Sequence, residues 1–141
     1  MTHRVLIAMT SHDKKGNTGQ PTGAYLGEVA HPYDVFAKAK YTVEFTSVRG
    51  GKVPLDGVDD ADEIGRSFLA AHRAELDNTP AADDIDPSHF DVIYFAGGHG
   101  AMWDFPESRA LAEVASHIYE NGGIVAAVCH GPAALVNLKL S

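Results

Sequence analysis

Two periods alternate along this chain. Val5 to Met9 is an unbroken apolar run, the length of a strand buried on both faces. Tyr41 to Ser47 alternates strictly, with Tyr41, Val43 and Phe45 set against Thr42, Glu44 and Thr46, as a strand does. Asp91 to Ala96 and Ile124 to Val128 are two further apolar strands. Helical spacing fills the intervals. Ala24 to Ala39 places Ala24, Tyr25, Leu26, Val29, Ala30, Val35 and Phe36 at helical positions, with an interruption or kink expected near Pro32. Ala61 to Leu76 carries Ile64, Phe68, Leu69 and His72, and Glu107 to Asn121 carries Leu111, Val114, Ala115 and Ile118 on one face before Asn121-Gly122-Gly123 ends it. A last helix is expected over Pro132 to Leu138. Thr10 to Thr22, Lys52 to Asp60 and Thr79 to Phe90 read as loops. The order βαβαβαβα predicts an α/β fold with a parallel sheet and helices on both faces, its ligands bound at the carboxyl ends of the strands.

Composition narrows the function classes. A chain of 141 residues, 45% hydrophobic and 21% charged, suits one soluble domain spanning 1–141. A net charge of −8 argues against nucleic acid or an anionic membrane as partner. The single cysteine forbids an internal disulfide and suits a reducing compartment. No apolar run approaches the ~20 residues of a membrane span, and the apolar part of the N-terminus is too short for a signal peptide. A cytoplasmic location is therefore expected.

That one cysteine carries the chemistry. In Ile124-Val-Ala-Ala-Val-Cys129-His130-Gly131-Pro132, an apolar strand gives way to a nucleophile-capable side chain, a histidine, a glycine and a proline fit for a helix's first turn. This is the layout of a nucleophile elbow with Cys in place of Ser. A helix N-terminus beside the thiol favours thiolate, its reactive form. A lone Cys is often only a small buried hydrophobe, but packing needs neither the glycine nor the proline. Gly97-Gly98-His99-Gly100 follows the preceding strand. Such a turn lets backbone N–H groups approach a ligand and, near the elbow, form an oxyanion hole; a plain tight turn is the alternative. Glu28 lies among Leu26, Gly27, Val29 and Ala30, an apolar setting that could tune a nearby thiol, though from the sequence alone an exposed helix glutamate is the stronger reading. The scattered His3, His12, His31, His72, His89 and His117 have no metal-binding spacing, and no zinc site is expected of them. Asp83, Asp84 and Asp86 read as a solvated acidic loop. Trp103 and Phe105 read as core residues, or as the rim of a pocket.

Phe95-Ala-Gly97-Gly98-His99-Gly100-Ala-Met-Trp-Asp104 and Ala126-Ala-Val-Cys129-His130-Gly131-Pro132 resemble the ThiJ/PfpI superfamily, which is class I glutamine amidotransferase-like. Ser11-His12-Asp13, Thr22-Gly23-Ala24-Tyr25 to Glu28, and His31-Pro32-Tyr33 resemble the branch that holds heat-inducible chaperones and glyoxalase III enzymes. The resemblance implies a flavodoxin-like three-layer sandwich with a mostly parallel sheet. It makes Cys129 the nucleophile, His130 its acid/base partner and Glu28 the group that hydrogen-bonds the thiol. Backbone N–H groups of Gly98 and His130 would be the oxyanion donors, with Gly97, His99 and Gly131 on the same oxyanion and substrate side. The implied reaction is glutathione-independent conversion of a small reactive aldehyde, methylglyoxal, to lactate, or deglycation of related dicarbonyls, without metal or cofactor. A stress chaperone or redox sensor, and a cysteine peptidase or amidase, are the alternatives, and homodimer formation is left open. Family members are longer and orient the histidine through an acidic residue further downstream. This chain stops at Ser141, so it is expected to be truncated at its C-terminus, with an uncovered sheet edge and low activity by itself.

Overall fold

Strand alternation divides the interior into two cores on either side of one sheet. The computed structural model describes residues 3–141. Its elements are β1 (Arg4–Met9), β2 (Ala24–Tyr25), α1 (Gly27–Lys38), β3 (Thr42–Ser47), β4 (Leu55–Asp56), α2 (Glu63–Asp77), β5 (Val92–Phe95), α3 (Ala101–Asp104), α4 (Arg109–Glu120) and β6 (Ile124–Ala127), with short 3-10 turns between them. The main sheet has the order β3-β1-β5-β6 and is parallel throughout. Val5 pairs with Val43 on one side and Val92 on the other, and Phe95 pairs with Ala127. Odd positions of β1 (Val5, Ile7, Met9) and Tyr94 of β5 face one layer with Val29, Ala30 and Phe68 of α1 and α2. Even positions (Leu6, Ala8), with Ile93 and Phe95, face the other layer with Leu111, Val114, Ala115 and Ile118 of α4. This is the period-two pleat read as three layers. No helix among the described residues is long and apolar enough to cross a membrane.

The sheet is unevenly covered. Val5 to Met9 of β1 are fully buried between two neighbours. β6 is an edge strand, half-buried along Val125–Ala127, with Ile124 61% exposed.

Four local expectations are corrected. Ala24 and Tyr25 are strand, not helix. The Ala24 amide donates to the Pro54 carbonyl and the Leu26 amide to the Asp56 carbonyl, both at 2.9 Å, so long-range pairing takes the backbone before the helix starts. The same pairing places a short strand, β4, inside the expected Lys52–Asp60 loop. Pro32 lies inside α1 without interrupting it. The Glu28 carbonyl, which cannot receive a bond from proline nitrogen, accepts the Tyr94 hydroxyl at 2.8 Å instead. The expected helix over Pro132 to Leu138 is a five-residue 3-10 segment, Gly131–Leu135. A three-residue period begins at the elbow, where the Gly131 amide donates to the Val128 carbonyl at 2.7 Å, and continues with Ala133 donating to His130.

Candidate active site

β5 and β6 end side by side, and the candidate residues other than Glu28 lie on the two turns that leave them. Cys129 has φ 54°, in the left-handed region that a residue with a Cβ rarely occupies. The strand must turn sharply there to enter the 3-10 segment, and the turn leaves the thiol exposed. That is the strained geometry of a nucleophile elbow. Sγ lies 3.4 Å from Nδ1 of His130, a half-buried imidazole. His99 is exposed, and its ring centroid lies 4.9 Å from that of His130. No carboxylate hydrogen-bonds His130 among the described residues.

Gly97 is where the two turns and α1 meet. A Cβ built on it would collide with Oε1 of Glu28 and lie 2.9 Å from both Cβ of Cys129 and the carbonyl oxygen of Val128. The Glu28 carboxyl and the Cys129 side chain therefore approach each other across a backbone with no side chain. Glu28 reaches this place from the first turn of α1, the helix end that best tolerates a carboxylate. Its residue is half-buried, yet Oε1 is fully shielded and has no hydrogen-bond partner. A buried polar atom without a partner is uncommon and calls for an explanation.

Gly98 has φ 115° and packs flush on the Gly23 carbonyl and on Tyr25, so both conformation and space require glycine there. The amides of Gly98 and His130 take part in no hydrogen bond among the described residues. Gly131 is buried beneath the elbow. Its amide is used by Val128, and its Cα is pressed against the Phe95 carbonyl, so it serves the close approach of the elbow to β5. The Gly97–Gly100 turn leads directly into α3 through Ala101 donating to Gly98 at 3.1 Å. Phe105 is buried edge-on against Phe95, whereas Trp103 stays 38% exposed and stacks on His12 with centroids 5.0 Å apart. Among the described residues, no three His, Cys, Asp or Glu side chains converge as a metal site would need.

Two supporting groups were not legible beforehand. Tyr25 joins β2 to the glycine turn by donating its amide to the Gly97 carbonyl at 3.0 Å. Asp104 of α3 reaches back to the end of β1, accepting from the Thr10 hydroxyl at 2.7 Å and from the Ser11 amide at 2.8 Å. Burial pushes the Asp104 carboxyl above the usual aspartate range, against the opposing pull of those two bonds. Asp104→Ala leaves two buried donors without acceptors, and an equilibrium denaturation series should show a loss of about 1–3 kcal/mol. Because the folded-state pKa is raised, the stability this group adds is fully present in acid and falls as pH rises through that value. The difference between parent and variant should therefore be largest at low pH.

A parallel three-layer α/β sandwich with a positive-φ cysteine closing its last strand defines a cysteine-elbow protein of the α/β class. The chain belongs to the DJ-1/PfpI family, whose defining pattern matches residues 22–141. Glyoxalase 3 of Candida albicans is 35% identical to it over 96% of this chain and 61% of that protein. The glutathione-independent glyoxalase HSP31 of Saccharomyces cerevisiae is 34% identical over 92% of this chain and 58% of that protein. Among solved structures, the 24 kDa rapid encystment protein of Francisella tularensis superposes with a TM-score of 0.94 at 37% identity, over 98% of this chain and 63% of that one. The chain thus spans about three-fifths of the length of the relatives it matches.

Proposed function

We propose that the protein is a glutathione-independent glyoxalase that converts methylglyoxal, or a closely related dicarbonyl, through Cys129. The observation that carries this reading is the junction at Gly97, where a shielded carboxyl oxygen without a partner and a strained, exposed cysteine meet. The names of the curated relatives, which are glyoxalases that need no glutathione, support the same reaction class.

In this reading His130 takes the thiol proton, and the thiolate adds to the aldehyde carbon. The carbonyl electron pair becomes an alkoxide, faced by the Gly98 and His130 amides, and is reprotonated to a hemithioacetal. A base then moves the proton from that carbon to its neighbour through an enediol, which leaves a thioester. Water cleaves the thioester and releases lactate and the free thiol. The sum is methylglyoxal plus water giving lactate, with no external oxidant or reductant. The Glu28 carboxyl, across Gly97 from Cys129, shares its proton with the thiolate and stabilises the reactive form. A single cysteine in a soluble domain fits a reducing, cytoplasmic setting.

A second reading, a thiol that reports oxidation, is favoured by the exposure of Cys129. Parallel assays separate the readings. The glyoxalase reading expects lactate from methylglyoxal without glutathione, no peptide cleavage, and no loss of lactate formation when client-protein aggregation is absent. Oxidation of Cys129 by peroxide without any lactate would favour the sensor. Glu28→Gln should keep the fold and change the alkylation rate of Cys129 several-fold; an unchanged rate would make Glu28 an ordinary helix residue.

A further inference from the structure

The Pro32–Glu28–Tyr94 contact lies outside the chemistry just described, yet it acts on one of its members. In an α-helix the amide of residue 32 would donate to the carbonyl of residue 28. Proline has no N–H, and its ring crowds that same carbonyl. α1 nevertheless runs without a break from Gly27 to Lys38. The Tyr94 hydroxyl supplies the missing donor, 2.8 Å from the Glu28 carbonyl oxygen.

Tyr94 stands on β5, three residues before Gly97. One strand therefore holds Glu28 at both ends. Its backbone carbonyl is bonded by Tyr94, and its carboxyl fits the space that Gly97 leaves beside Cys129. Tyr94 is 9% exposed, with its ring edge-on to Phe36, so the phenol has little freedom to bond elsewhere. Burial pushes its pKa well above that of an ordinary tyrosine, so the hydroxyl remains a donor throughout the working pH range.

We infer that Tyr94 is a positioning residue: its hydroxyl replaces the helix bond that Pro32 withholds from Glu28, and so fixes the turn of α1 that carries the Glu28 carboxyl to Gly97 and Cys129. The inference rests on the reading of Glu28 as the group that tunes Cys129. A hydroxyl in the sheet core thus governs the reactivity of a thiol it does not touch. The pairing also explains how a proline is accommodated at the sixth position of a helix whose first turn must be placed accurately.

The test is the alkylation rate of Cys129 by iodoacetamide in the folded chain, which needs no knowledge of the substrate. Tyr94→Phe keeps the ring and removes only the hydroxyl; it should slow alkylation about threefold to tenfold, the effect of one neutral hydrogen bond. Glu28→Ala should slow it in the same direction and by more. Pro32→Ala restores an amide donor to the Glu28 carbonyl, so the double variant Tyr94→Phe/Pro32→Ala should return towards the parent rate. Thr46→Val removes another core hydroxyl, one that bonds the Pro80 carbonyl at 2.9 Å on the opposite edge strand, and serves as the control. It should lower stability and leave alkylation unchanged, which a merely structural role for Tyr94 would not distinguish. A response to Glu28→Ala with none to Tyr94→Phe overturns the positioning role and leaves the site reading intact. Failure of Pro32→Ala to rescue Tyr94→Phe also overturns it. No response to Glu28→Ala overturns the reading of Glu28, and the positioning role with it.

Discussion

Cys129→Ala should abolish covalent chemistry and reduce turnover of methylglyoxal by at least about a thousandfold, since loss of a catalytic nucleophile typically has effects of that order or greater. The fold should survive. Cys129 is exposed, so little apolar burial is lost, and its φ of 54° becomes no harder to adopt for alanine than for cysteine. Melting temperature within a few degrees of the parent, together with complete loss of thiol labelling and of lactate formation, is the expected pattern. Replacement by glycine is informative in the other direction. Glycine relieves the strain at this φ, so Cys129→Gly should be equally inactive but slightly more stable. A stabilised, inactive variant would mean that the strain belongs to the site and not to the fold.

Gly97→Ala carries the second large effect. Its added methyl has no free direction, because Glu28 Oε1, Cys129 Cβ and the Val128 carbonyl already surround the position. The carboxyl can retreat, but backbone and Cβ at 2.9 Å cannot move without displacing β6 or the elbow. Displacement of reacting groups by about 1 Å can reduce rate ~100-fold, and overpacking typically costs about 1–3 kcal/mol in stability. Kinetics and denaturation on the same preparation would show both. Thiol labelling at the parental rate in Gly97→Ala would mean that Glu28 and Cys129 are not coupled through this position.

The elbow was legible because its signals are local. Five apolar residues, Ile124 to Val128, require a strand, and Gly131 permits the close return over Phe95 that the turn needs. The two-faced core was legible for the same reason, since the alternation of β1 divides its side chains between opposite layers. Glu28 was not. Its local sequence fits an exposed helix position, and only the resemblance singled it out. Its placement depends on where α1 begins, and that is set by Ala24 and Tyr25 pairing with Leu55 and Asp56 some thirty residues away. No local period encodes that register. Tyr94 carries a weaker signal that can be read in principle. A proline six positions into an amphipathic helix leaves a carbonyl without a donor, and a hydroxyl or amide must come from elsewhere. The 3-10 geometry after Cys129 was missed because Pro132 suits the first turn of either helix type. A five-residue 3-10 segment offers the thiol less of a helix dipole than a full α-helix would.

The curated relatives named as glyoxalases extend well beyond the length matched here, and His130 has no carboxylate partner among the described residues. An orienting carboxylate can be worth orders of magnitude in rate, so turnover by these 141 residues should be slow, and still dependent on Cys129. The most direct measurement is lactate production from methylglyoxal by the purified chain, followed by NMR without glutathione or added metal, with Cys129→Ala as background. The account predicts lactate above that background, in proportion to enzyme concentration. Lactate formation indistinguishable between the parent and Cys129→Ala would contradict it.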